Sequence, residues 1–198
     1  MGRACPPYSF GKPPMSLAHV ILGLLQQQER TGYDLKTDCF DDGMSHLWPA
    51  DQAQIYRTLD KLESQAWITC TVEIQHDRPN RKVYRITQAG EAELTHWLQT
   101  HHPLTVLREP LLVQLYFAAQ LPNEAIVYLL EQELEARQEK LAHCETIEAL
   151  SLSHPTASRE QKLHRLVLDL VKQREQTYLD GLEQAIRAMH RLRDRNNP

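Results

Sequence analysis

The hydrophobic period of this chain changes twice, and those changes restrict its fold more than any other feature. From residue 17 to 65 apolar side chains recur at helical spacing. Across "WITCTVEI" (67–74) and "KVYRI" (82–86) they alternate instead, with β-branched residues prominent, and "QHDRPNR" between them supplies turn residues. This pattern predicts one hairpin with a seven-residue tip. From Thr87 onward the helical period returns and no further strand pattern follows. The fold class is therefore mostly α with a small β hairpin.

The helices before the hairpin are separated by legible breaks. Leu17, Val20, Ile21, Leu24 and Leu25 share one face of a first helix, which ends at the polar "QQQERTG". A second, residues 34–40, stops at "DDG". Pro49 breaks what precedes it and Asp51 is placed to N-cap a third helix, 52–65, with Ile55, Leu59 and Leu62 on one face. Thr87 is placed to cap the helix after the hairpin, with Leu94, Trp97 and Leu98 on its buried side. Three helices, a hairpin and a helix, in that order, make the winged helix-turn-helix pattern. The expected domains are a disordered arm over 1–14, which holds four prolines and two glycines, and a winged helix-turn-helix over 15–100. After "HHP", read as a linker, a helical domain is expected over 104–198.

In that second part Leu111, Leu112, Leu115 and Tyr116 mark a short helix, and a long one capped by Asn123 follows to about Leu150. A last helix is expected from about Arg159 to Arg193. Its apolar stripe, including Leu163, Leu166, Leu170, Tyr178, Leu182, Ile186 and Met189, is too long for one small domain to cover. The expected partner for these residues is a second copy, a homodimer.

Charge bears on function only through its placement. Residues 1–100 carry 10 Lys+Arg against 12 Asp+Glu and residues 101–198 carry 12 against 14, so neither half is basic. Yet "RPNRKVYRITQAG" (78–90) holds Arg78, Arg81, Lys82 and Arg85 and no acid. The first three lie where a wing meets the DNA backbone, and phosphate contacts position a protein without reading sequence. Arg85 is the weakest of the four, because a strand residue can pair with a neighbouring acid. The third helix exposes Gln52, Gln54, Tyr56, Arg57 and Lys61, side chains able to read base edges in the major groove of double-stranded DNA.

Four blocks, "MSLAHVILGLL", "TGYDLK", "WPADQAQIYRTLDKLESQAWI" and "RPNRKVYRITQAGEAEL", resemble in order and spacing the PadR family of transcriptional regulators. The resemblance runs from Met15 to about Leu98, and the helical remainder is similar to the longer dimerisation domain of one subgroup. It implies a homodimeric, sequence-specific repressor bound to an operator, with C-terminal helices that swap or clasp between subunits. A ligand or partner, a small-molecule effector among the candidates, would release it by favouring a dimer of the wrong half-site spacing. Two departures stand out: Ala66 where the family usually has Gly, and Arg57 where Pro is common. The competing reading is a winged-helix interaction module that does not bind DNA, which suits the acidic balance.

No nucleophile triad, phosphate loop or paired-carboxylate motif is present, so neither an enzyme nor a cofactor is expected. His96, His101 and His102 straddle a helix end and linker without ligand geometry, so no metal is expected. Four dispersed cysteines point to reduced thiols and a cytoplasmic protein. "LAHVILGLL" is too short to span a bilayer, so no membrane partner is expected.

Overall fold

A computed structural model describes residues 17–45, 47–74, 80–103, 108–151 and 158–192. The chain divides into two units, Met1–Val106 and Leu107–Pro198. The arm over 1–14 lies outside the described residues, as does much of the hairpin tip, Arg78 included.

The first unit contains α1 (Leu17–Gln27), β1 (Arg30–Thr31), α2 (Gly32–Asp34, running on as a π-helix over Leu35–Gly43) and α3 (Gln52–Ser64). β2 (Ile68–Glu73), β3 (Arg81–Ile86) and α4 (Gln88–Gln99) complete it. Ile21, Leu22 and Leu25 of α1 meet Leu35, Phe40, Ile55, Leu59, Leu62, Ile68, Tyr84 and Leu94 in one core. Each such side chain contributes about 1.5–3 kcal/mol by leaving water. The periodic positions of the sequence supply most of this core. Leu98 does not join it: expected on the buried side of α4, it is 65% exposed.

The sheet is antiparallel and three-stranded, in the order β1-β3-β2. β2 and β3 pair from Ile68↔Ile86 to Glu73↔Arg81, while β1 adds only Arg30↔Tyr84 and Thr31↔Val83. That two-residue strand was not expected, since two residues show no period. The second helix starts before residue 34, because Thr31 and Asp34 close a capping box around its first turn.

The ends of α3 determine where the hairpin departs. Asp51 caps its start, accepting from the Gln54 amide at 2.7 Å. At its other end the Trp67 amide donates to the Leu62 carbonyl at 3.0 Å and the Ala66 amide to Glu63 at 2.9 Å, the paired bonds of a Schellman turn. Ala66 holds the left-handed position of that turn at φ 56°. Alanine is strained there and glycine is not, although glycine costs more chain entropy on folding. Ala66→Gly is therefore expected to raise stability by about 0.5–1 kcal/mol. A lower urea midpoint for the variant would contradict this.

Beyond the hairpin, Thr87 caps α4 through the Gly90 amide at 3.1 Å, and its own amide donates to the Trp67 carbonyl at 2.9 Å. Helix and strand meet so closely here that a Cβ on Gly90 would lie 2.1 Å from that carbonyl oxygen. The wing and α4 are thereby joined at one glycine.

The second unit holds α5 (Pro110–Tyr116, followed by a 3₁₀ turn at Ala118–Gln120), α6 (Asn123–Ser151) and α7 (Arg159–Arg191). α6 and α7 pack antiparallel around two apolar clusters. Asn123 does not act as the N-cap of α6. The Pro122 carbonyl accepts the first helical bonds, and the Asn123 side-chain Nδ2 donates across to the Leu192 carbonyl at 2.7 Å.

The stripe of α7 resolves into two faces. Leu168, Val171, Glu175, Leu179 and Leu182 are buried within the unit. Tyr178, Ile186 and Met189, expected at a dimer interface, pack with Leu182 against α5 and α6 of the same chain. Leu163, Leu166 and Leu170 remain 50%, 54% and 58% exposed.

Candidate nucleic-acid interface

Three apolar residues on one side of α3 dictate what its other side presents. With Ile55, Leu59 and Leu62 buried, Gln52, Gln54, Arg57 and Lys61 are exposed and Tyr56 is half-buried. Tyr56 fills the angle between α2 and α3. A Cβ on Gly32 would lie 2.6 Å from its ring, so the helix-turn-helix closes because residue 32 has no side chain.

The exposed side chains are not equally available. The Gln54 side-chain oxygen accepts from the Asp51 amide at 3.2 Å, which commits half of its amide to the cap. A bidentate reading of adenine needs both halves, so Gln54 as placed offers only its NH₂. Arg57 turns Nε onto the Ala53 carbonyl at 3.2 Å and keeps its terminal nitrogens outward. Gln52 and Lys61 have no side-chain partner among the described residues.

The wing departs further from expectation. Its sequence has no acid among four cations, but in space acids reach it from the β1 region. Arg81 donates from Nη2 to Asp34 Oδ2 at 2.7 Å, and Arg85 donates to Glu29 from Nε at 3.0 Å and Nη2 at 2.5 Å. Glu73 also faces Arg81 across the ladder. Lys82 is exposed and unpaired among the described residues. Asp34 is the centre of this arrangement. Its partial burial works against ionisation, but the Thr31 amide, the Thr31 hydroxyl and Arg81 hold its carboxyl below the ordinary value.

Thr31, Asp34 and Glu29 were not among the expected site residues. The Thr-x-x-Asp spacing of a capping box marks the first two. No local spacing marks Arg81 as the partner of Asp34.

In the second unit, Trp-free and helical, the exposed face of α7 runs into an apolar groove of about 640 Å³ lined by Leu111, Leu115, Leu130, Leu170, Tyr178 and Leu182. Tyr116 and Phe117 stand outside the core, 82% and 68% exposed.

Comparison with known proteins gives a consistent result for both units. The profile of the transcriptional regulator PadR-like family matches residues 21–96, and the profile described as virulence activator alpha C-term matches residues 107–190. The chain is 32% identical over 176 residues to the negative transcriptional regulator PadR of Bacillus subtilis, covering 84% of this chain and 93% of that one. The crystal structure of B. subtilis PadR in complex with operator DNA superposes with a TM-score of 0.75 at 29% identity, covering 87% of this chain and 98% of that one. PadR in complex with p-coumaric acid gives 0.73 at 28% identity, covering 88% and 98%.

Proposed function

The chain belongs to the PadR-like family of transcriptional regulators, and from that premise we propose that it is a homodimeric repressor that binds operator DNA through α3 and the wing. The observation that carries this reading is the exposed row of Gln52, Arg57 and Lys61 on a helix capped at both ends, beside a hairpin that presents Lys82. A helix of this kind fits the major groove, and two-fold symmetry sets two of them about one DNA turn apart. Tyr56 is proposed to orient α3 more than to touch DNA, given its place against Gly32. Gln54 contributes its NH₂, and Arg78 and Lys82 take phosphates.

The proposed dimer forms along the outer face of α7. Leu163, Leu166 and Leu170 lie at spacings of three and four, and Leu170 continues into the apolar groove. Three leucines left half-exposed on one helix face are best covered by a second copy. A small aromatic acid is the first effector to try, by kinship with the p-coumaric acid complex of PadR. Regulation rather than catalysis, in the cytoplasm, completes the reading.

The test is fluorescence anisotropy with a labelled duplex from upstream of the protein's own gene and a scrambled duplex of equal length. The native duplex is expected to bind at least about 10³-fold more tightly. Equal affinity for the two would leave a DNA binder directed at another operator. No binding to either at low salt would favour the interaction-module reading instead.

A further inference from the structure

β1 reaches β3 only at Val83 and Tyr84. Beyond them, toward the tip, Arg81, Lys82, Val72 and Glu73 are all exposed. Among the described residues, the polar tie from this outer half of the hairpin to the helices is the 2.7 Å bond from Arg81 to Asp34. Asp34 is itself held in place. Its Oδ2 also accepts from the Thr31 amide at 3.0 Å, and its amide donates to the Thr31 hydroxyl at 3.0 Å. One carboxylate thus joins the first turn of α2, the opening helix of the helix-turn-helix, to the free end of the wing.

We propose that Asp34 is a positioning residue for DNA binding: through Arg81 it fastens the wing to the helix-turn-helix, and Arg81 works on Asp34 rather than on a phosphate. This reassigns an arginine whose sequence context points to the DNA backbone. It rests on the DNA-binding reading above. It also opposes simple electrostatics, in which an acid beside a polyanion weakens binding and its removal tightens it.

The experiment measures operator affinity and its salt slope for the full chain, for Asp34→Asn, for Arg81→Ala and for the double variant. Asparagine keeps an oxygen for the Thr31 amide while losing the charge that holds Arg81. Each single variant is expected to bind roughly five- to tenfold more weakly, and the double no more weakly than either. The salt slope is expected to stay unchanged in all of them. A phosphate-bound Arg81 would lower the slope by about 0.9 per arginine, roughly 1.8 for a dimer. That result, or tighter binding by Asp34→Asn, overturns the proposal. So does further weakening by Asp34→Asn in the Arg81→Ala background, which would route the effect through the cap of α2. Circular dichroism and urea midpoints are followed in parallel, and a loss of affinity that tracks loss of folded protein counts against the proposal. Absence of binding by the unsubstituted chain removes the DNA reading itself and the proposal with it.

Discussion

Raising the salt from 50 to 200 mM is expected to weaken the operator complex by about 10³- to 10⁴-fold. The figure follows from counting which cations are available. Each subunit exposes Arg57, Lys61 and Lys82 without a carboxylate partner among the described residues, and Arg78, outside those residues, is the fourth cation that the sequence places in the hairpin tip. The proposed dimer would then bring about six to eight such cations to the duplex, each displacing condensed counterions whether it lies on a phosphate or in the groove, and at roughly 0.9 counterions each the log–log slope would lie near −5 to −7. Arg81 and Arg85 are left out because Asp34 and Glu29 hold them. A slope near −9 or steeper would mean that those arginines leave their carboxylates when DNA arrives. A slope shallower than about −3 would mean that this face does not lie along the backbone. The net charge of −4 makes the test sharper, since the chain as a whole does not attract DNA and the slope must come from this local cluster.

What the sequence discloses here, and what it hides, divides by the range of the interaction. Asp51 and Thr87 are caps in the structure as their spacing predicts, because a cap is made with an amide three residues away. The hairpin and the core faces of α1 and α3 are equally local, written as period and turn. The two-residue strand β1 is not, since it exists only because Tyr84 and Val83 come to lie beside it. The pairing of Arg81 with Asp34 and of Arg85 with Glu29 joins positions 47 and 56 residues apart. A run of cations therefore reads as a phosphate grip when half of it is tied to the protein. The same blindness affects α7. Its apolar residues serve two faces at once, and counting them as one stripe merges Leu182, inside its own unit, with Leu166, outside it. Glu175 falls on the inner face, where a period-based reading expects a leucine.

Replacing that residue, Glu175→Ala, is expected to destabilise the second unit by about 3 kcal/mol. Glu175 has no exposed surface. Its Oε2 accepts from Arg137 at 2.9 Å, and its Oε1 accepts from Lys140 at 2.7 Å and from Arg174 at 3.1 Å. Arg137 also donates to Glu133 and Glu109 and lies 3.4 Å above the Tyr178 ring. Removing one partner from such a buried network leaves charge uncompensated, which usually costs about 3–5 kcal/mol. The lower figure applies because Arg137 keeps two other carboxylates, and because Lys140 and Arg174, 40% and 66% exposed, can turn to water. All three tryptophans, Trp48, Trp67 and Trp97, lie in the first unit. The helical circular-dichroism transition in urea is therefore expected to move further than the tryptophan-fluorescence transition. A shift below about 1 kcal/mol would show that solvent already screens the network. The pH dependence gives a second reading of the same network. Burial opposes ionisation of Glu175, but Lys140, Arg174 and Arg137 hold its carboxyl below the ordinary value of 4.5. A depressed carboxylate stabilises the fold fully above its unfolded value and loses that contribution as pH falls through the folded one. The unsubstituted chain should thus lose stability steeply below about pH 4.5, and Glu175→Ala, lacking the group, should lose less over the same interval.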